Sequence, residues 1–399
     1  MHSHVIALDE LGGLQTLFVS FAAQMARRNE PLRVFNRARG SLESYVQKVL
    51  ADARVDVLSP SAGALAAARK LGVRRDAKLA KALNLLLLKR ALSRSTGDPI
   101  VLWNILPSTQ LTPRGSKVVV YDHGMSSLRR PERLSRESLA EADGLIAISH
   151  ANEWILRERW DWRGPIQVIM NPLRDPVAAA PVSSRKLGAK IRLGCASRLI
   201  SKKGIASAVH AVKVLRDRGR DVELRIAGEG PEMAALRLIA DRLGIGNNVS
   251  LLGKQHDMVA FFDSVDIVVA PSLREPFGLT PLEALAMGAP TILSAIDGHP
   301  EVLPFDGSAV LIEPTCSIDR YVTELGATGA DIPEFVYSPK AGRMAASRAL
   351  DPVDIADAVD KIVNDYPAAA ETARKASEII RKRNGIDAYA GRVLEAIEA

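Results

Sequence analysis

The sequence predicts an α/β protein made of two doubly wound parallel sheets, and three observations predict it. Short apolar runs alternate with helix-spaced patterns along nearly all of the 399 residues. The runs are continuous rather than alternating in polarity, as strands buried on both faces are. A proline- and alanine-rich break divides the chain into halves of similar size. The balance of 47% apolar and 25% charged residues is that of an ordinary globular protein, which excludes low complexity and general disorder.

Taken in order, the predicted strands of the first half are residues 5–8, 32–35, 100–103, 118–121, 145–148 and 166–169. Those of the second half are 191–195, 223–227, 249–252, 267–270, 291–294 and 309–312. Between them apolar residues recur at helical spacing, as in Ile205, Ala208, Val209, Val212 and Leu215. The break falls at 175–184, where Pro176, Pro181 and three consecutive alanines interrupt both periodicities. Residues 1–175 are thus expected as one Rossmann-like domain and 176–399 as a second. The stretch 315–350, rich in Gly, Pro and small residues, reads as an irregular insertion. A charged helix from 368 to the end can pack on either domain.

A chain of this length buries a full core without staples. The two cysteines, Cys195 and Cys316, fit a reducing compartment. The uncharged segment 12–26 has Asp9 and Glu10 before it and Arg27 and Arg28 after it, the reverse of a signal peptide. It is also shorter than the ~20 residues of a membrane span. A cytoplasmic location is expected.

Charge is unevenly placed. Residues 1–175 hold 26 Lys and Arg against 17 Asp and Glu, and the remainder holds 27 against 29. A basic first half is expected to meet something anionic: nucleic acid, anionic lipid or a phosphorylated acceptor. The stretch 69–94 carries nine cations against the single acid Asp76, with Leu79, Leu83, Leu86 and Leu87 at near-helical spacing. Two readings stay open. One is an amphipathic helix in peripheral contact with an anionic membrane, where each nearby cation contributes ~1 kcal/mol. The other is a core-facing leucine run with a solvated cationic face. Nucleic acid is disfavoured, because only 5% of residues are aromatic and none interleave the basic stretch for base stacking.

Three strand-to-helix loops of the second half carry the chemistry. After strand 267–270 comes Arg274-Glu275-Pro276-Phe277-Gly278-Leu279-Thr280-Pro281-Leu282-Glu283, leading into a helix. Gly278, Leu279 and Thr280 therefore lie at a helix N-terminus on the carboxyl edge of a parallel sheet, where free amides and the helix dipole favour phosphate. After strand 191–195 come Arg198 and Ser201-Lys202-Lys203-Gly204, a plausible diphosphate clamp. Gly228-Glu229-Gly230-Pro231 follows the next strand, and its glycines permit close approach to a ligand. Taken alone, the Glu275–Glu283 segment reads better as a solvated loop and a helix first turn, the basic loop as solvated surface, and the glycine loop as a weak signal.

Together, from 193 to 303, these elements resemble the retaining nucleotide-sugar glycosyltransferases of the GT-B fold, specifically glycosyltransferase family four. The resemblance rests on Arg198-Leu199-x-x-x-Lys203-Gly204, on Gly228-x-Gly230-Pro231, and on Glu275 and Glu283 in a Phe-Gly-Leu context. The first half matches more loosely, through Gly12-Gly13, Asp122-His123-Gly124, Ser149 and Asn171-Pro172. The resemblance implies two Rossmann-like domains facing a central cleft and a nucleotide-diphosphate sugar as donor substrate, with no cofactor and no metal. It also implies a glycan or lipid-linked acceptor. Glu283 would take the ribose hydroxyls, Arg198 and Lys203 the departing diphosphate, and Glu275 the transferred sugar. His123 would meet that sugar from the other domain. Gly13, Gly228, Gly230 and the amides of Gly278, Leu279 and Thr280 would line the donor. A nucleotide-sugar epimerase or hydrolase of the same fold, or a protein binding anionic surfaces or nucleic acid through its basic half, are the alternatives.

Overall fold

The computed structural model of the protein describes residues 2–8, 12–37, 44–58, 86–93, 97–107, 112, 113, 115–128 and 133–399. Most of the basic stretch 69–94 lies outside the described residues. Within 86–93, Leu88 and Leu92 are buried and Leu86 is exposed. The chain forms two compact units, one of Met1–Pro172 with Ile386–Ala399 and one of Leu173–Gly385.

The first unit is a seven-stranded parallel sheet. Its strands are β1 (His2–Ile6), β2 (Leu32–Asn36), β3 (Asp56–Leu58), β4 (Ile100–Trp103), β5 (Val118–Asp122), β6 (Gly144–Ala147) and β7 (Ile166–Val168), in the order β3-β2-β1-β4-β5-β6-β7. Its core is aromatic. Phe18 and Phe21 of helix Gly13–Arg27 pack on Trp103, whose indole N–H donates to His4 Nδ1 at 3.0 Å. The last helix, Ile386–Glu398, sets Tyr389 edge-on against Phe21. Asp122, fully buried, accepts the amides of Gly124, Met125 and Ser126 and a proton from Asn152 Nδ2. The loop that carries His123 is therefore fixed from below.

The second unit holds β8 (Ile191–Ala196), β9 (Val222–Ala227), β10 (Val249–Gly253), β11 (Ile267–Ala270), β12 (Thr291–Ser294) and β13 (Val310–Ile312), all parallel, in the order β10-β9-β8-β11-β12-β13. Asp266 anchors the start of β11 by pairing bidentately with Arg192 of β8.

Several expectations need correction. The stretch 315–350 is structured: β14 (Cys316–Ser317) pairs antiparallel with β17 (Arg348–Ala349), and β15 (Phe335–Ser338) forms a hairpin with β16 (Arg343–Ala346). Small residues hid these strands, because a two-stranded hairpin needs little apolar signal. The single C-terminal helix is in fact two, Tyr366–Arg383 and Ile386–Glu398, broken at Asn384 and Gly385 and divided between the units. The proline-rich break contains a short helix, Asp175–Ala179, with Pro176 in its first turn. Strand β3 went unseen because it is a three-residue edge strand ending in exposed Leu58.

Among the described residues no helix is long and apolar enough to cross a membrane. Ser149 proves to be a helix cap, its hydroxyl accepting the Asn152 amide at 3.0 Å. Ser149→Ala is expected to lower stability by about 1 kcal/mol, measured by denaturant unfolding monitored on the first unit.

Candidate active site

The order of the second sheet reverses its direction of growth between β8 and β11. In open α/β sheets the crevice outside the carboxyl ends of such strands is where ligands bind. The loops that follow β8, β11 and β12 meet there.

The loop after β8 presents Arg198 to solvent and buries Leu199, and a tight turn, Ser201–Lys203, brings Lys203 inward. Lys203 pairs with Glu275 of the neighbouring loop, both side chains largely buried. The backbones are also sewn together, Leu273 N–H donating to Lys202 O at 2.8 Å. Burial, with the positive charges of Arg274 and Arg198 close by, lowers the Lys202 ammonium below its ordinary value. Arg198, Lys202, Lys203 and Arg274 thus form one electropositive cluster.

Burial alone would push the Glu275 carboxyl up. The charges of Lys203 and Arg274, with the Lys203 hydrogen bond, outweigh it and hold the group below the ordinary carboxylate range, so Glu275 is ionised. Glu283, fully buried in helix Leu279–Ala286, is gripped by the guanidinium fork of Arg174 through both oxygens. The two carboxylates expected to act together are thus held by different cations.

The glycines of the Gly228-x-Gly230 loop admit a close approach by the chain itself. Gly228 has φ 135°, and a Cβ there would stand 1.8 Å from Ser197 O. The close approach is to the chain's own Arg198 loop. Leu199 N–H donates to Glu229 O at 2.8 Å, and Glu232 N–H donates to Leu199 O at 3.0 Å. This loop is a brace for the cationic one. Gly278, at φ 110°, is the N-cap of helix Leu279–Ala286, and a Cβ there would meet the His299 ring at 2.8 Å. Thr280 Oγ1 donates to Ala196 O at 3.0 Å and so ties the helix to the end of β8. The first amides of any helix have no intrahelical acceptor, and those of Leu279 and Thr280 begin this one.

Sequence reasoning missed Arg174, Asp297 and His299. All three depend on which strand ends are neighbours; the only available signal was that β12 had to lie near β11. His299 is fully buried. Ser294 Oγ lies 2.6 Å from Ser272 O, to which it gives its one proton, so at 3.1 Å from His299 Nδ1 it can only accept. Ser294 O, also 3.1 Å from Nδ1, is an acceptor too. Nδ1 therefore carries the proton and Nε2 is a bare acceptor. Burial pushes the ring down to about 4, so it is neutral.

His123 and Gly13 belong to the first unit. The His123 ring stacks on Trp103 at 5.4 Å and lies tilted against Tyr121 at 4.2 Å; burial pushes it down to about 3, and its Nε2 has no hydrogen-bond partner among the described residues. Gly13 opens helix Gly13–Arg27 directly after the β1 loop.

Two predictions follow from this geometry. Gly228→Ala is expected to destabilise the second unit by about 2 kcal/mol or more, read from its melting transition, since backbone must move to admit the methyl. Glu275 has a folded value below the usual 4.5, so its stabilising contribution is full above pH 4.5 and disappears as pH falls through that lower value. The stability gap between the wild type and Glu275→Gln should accordingly close in acid; a gap that widens there would contradict the ion pair.

Residues 180–326 match the family described as glycosyl transferases group 1. An uncharacterized glycosyltransferase of Methanocaldococcus jannaschii is 30% identical over 137 residues, covering 32% of this chain and 35% of that protein. The lipopolysaccharide core biosynthesis glycosyltransferase LpsD of Rhizobium meliloti is 30% identical over 156 residues, 38% of this chain and 44% of that one. The matches thus span less than half the length of these relatives. A glycosyltransferase from Rickettsia africae superposes with TM-score 0.72 at 15% identity, covering 100% of this chain and 98% of that one. WaaG, a glycosyltransferase of lipopolysaccharide biosynthesis, does so with TM-score 0.68 at 14% identity, covering 100% and 99%. At such identities the likeness to solved structures is one of fold. Residues 180–326 are thus similar to the glycosyl transferases group 1 family, and the chain as a whole shares the fold of these solved glycosyltransferases.

Proposed function

We propose that the protein is a retaining, metal-independent glycosyltransferase that moves a hexosyl unit from a nucleotide-diphosphate sugar to a glycan or lipid-linked acceptor in surface polysaccharide synthesis. The observation that carries this reading is the cation cluster at the switch point of the second sheet, flanked by two buried carboxylates. Relatives named for lipopolysaccharide core synthesis and for GDP-mannose-dependent transfer to phosphatidylinositol dimannoside support the reaction class. A structure of the same fold, HepE of Anabaena, is of a complex with UDP and glucose.

In this reading the diphosphate leaves with growing negative charge, and Arg198, Lys203 and the amides at Gly278, Leu279 and Thr280 are already in place to receive it. Such preorganised stabilisation is the largest catalytic contribution in many enzymes. The same cations supply the charge a divalent metal otherwise would. Glu275, ionised and tied to Lys203, suits holding sugar hydroxyls and an oxocarbenium-like centre better than covalent attack, because an ammonium partner quenches its nucleophilicity. Retention then arises by attack on the face the phosphate leaves, that phosphate taking the acceptor proton. Glu283 meets the ribose only once its hold on Arg174 loosens. His123, a neutral ring whose Nε2 has no hydrogen-bond partner among the described residues, is assigned to the sugar. The reading includes a cytoplasmic location, with peripheral membrane contact through the basic stretch 69–94.

A melting-temperature screen against UDP- and GDP-sugars should find one donor that raises the transition, as a specific ligand does by mass action. With that donor, Lys203→Ala is expected to lower kcat by about 10²–10³-fold with the fold intact, and Glu283→Ala to abolish turnover. Undiminished turnover in both variants would defeat the assignment. Full-rate product release without acceptor would mark a hydrolase or epimerase instead. A loss of activity in EDTA would overturn metal independence, and an inverted anomer in the product NMR spectrum would overturn retention.

A further inference from the structure

The hairpin of β15 and β16 had no assigned role, and Asp297 joins it to the active-site loop. Asp297 lies directly after β12, is 2% exposed and adopts φ 42°, a left-handed conformation uncommon for a residue other than glycine. Its N–H donates to Tyr337 O at 2.9 Å, and its Oδ1 accepts the Tyr337 N–H at 2.9 Å. Its Oδ2 accepts the Glu275 N–H at 3.0 Å, while Gly298 N–H donates to Glu275 O at 3.2 Å. These four hydrogen bonds close a bracket around the backbone of Glu275 and extend it to the hairpin.

A strained, buried carboxylate is an expensive way to join two loops. Burial pushes Asp297 up to about 6, with Arg274 and the two amides opposing that rise. An isosteric asparagine offers one acceptor where the geometry uses two, and glycine offers none while adopting φ 42° with less strain. The need for two acceptors, one toward Tyr337 and one toward Glu275, accounts for an aspartate at a backbone position that glycine would occupy more comfortably.

We infer that Asp297 is a positioning residue for Glu275, and that the hairpin of β15 and β16 is the buttress against which it holds Glu275 in register with the sugar of the donor. The inference rests on the proposed transferase site and deepens it. The nucleoside diphosphate is expected to be gripped by the cation cluster, the sugar by Glu275. Loss of Asp297 should therefore weaken recognition of the sugar and leave that of the diphosphate alone.

The test measures binding by titration calorimetry, using the UDP- or GDP-sugar that the wild type selects and the matching UDP or GDP. The wild type should prefer the sugar-bearing ligand. Asp297→Asn should reduce that preference by about tenfold and Asp297→Gly by more, with the affinity for UDP or GDP within about twofold of wild type. Backbone amide exchange at Glu275 should speed up in both variants. Asp297→Gly guards against misfolding, because its backbone accepts the native turn. An unchanged preference in a folded variant, or an equal loss for both ligands, would overturn the inference. A wild type that binds neither ligand class would instead sink the transferase reading itself.

Discussion

The site depends on holding several positive side chains at one sheet edge. Two unit charges 4 Å apart interact by about 4 kcal/mol at the effective dielectric of a protein surface, so Arg198, Lys202, Lys203 and Arg274 could not gather there unaided. Glu275 neutralises part of the cluster, and the lowered Lys202 ammonium marks the part that stays in excess. In the proposed function a diphosphate supplies negative charge to this cluster, and the same imbalance favours a leaving group that gains charge as it departs.

Such a cluster is useful only if it does not relax, and the backbone is what prevents relaxation. The Gly228 loop braces the Arg198 loop, the Lys202 carbonyl is tied to Leu273, and Thr280 fastens helix Leu279–Ala286 to the end of β8. Ser201 adds a side-chain tie, its hydroxyl donating to buried Glu232 at 2.8 Å. Nearly every bond in this frame is backbone to backbone or side chain to backbone. The loops that carry the charged side chains are thus held by their own backbone, which in the proposed function limits the reorganisation that would otherwise weaken electrostatic catalysis.

What could be read from the sequence follows from the range of each interaction. Strands β4 and β11 were legible to the residue because each is a continuous apolar run in the middle of a sheet. The Arg198, Lys203, Glu275 and Glu283 positions were legible because their loops carry local signals of charge and glycine. Their partners were not. Arg174 lies 109 residues from Glu283, and Tyr337 lies 40 from Asp297. No local pattern announces that kind of pairing; only the strand order brings the ends of β8, β11 and β12 together. The glycines of the 228–230 loop show the same limit from the other side. Their freedom was legible, but what they approach was a tertiary fact.

The two carboxylates of the site are held in different ways, and the difference bears on how each can act. Glu275 keeps 18% of its side chain exposed beside Lys203, so a hydroxyl can reach it without displacing anything. Glu283 has no exposed surface, and the Arg174 fork covers the edge of the carboxylate that a vicinal diol would use. Bonds to a guanidinium are stronger than bonds to neutral hydroxyls, so a ribose that replaces Arg174 loses on that exchange taken alone. The arginine is 29% exposed and recovers water as it leaves, whereas Glu283 recovers only the diol. In the proposed function the balance comes from the diphosphate on the cation cluster, so that recognition of the nucleoside and neutralisation of the phosphates would be one linked event, in which charge at the sheet edge drives the opening of a carboxylate buried beside it.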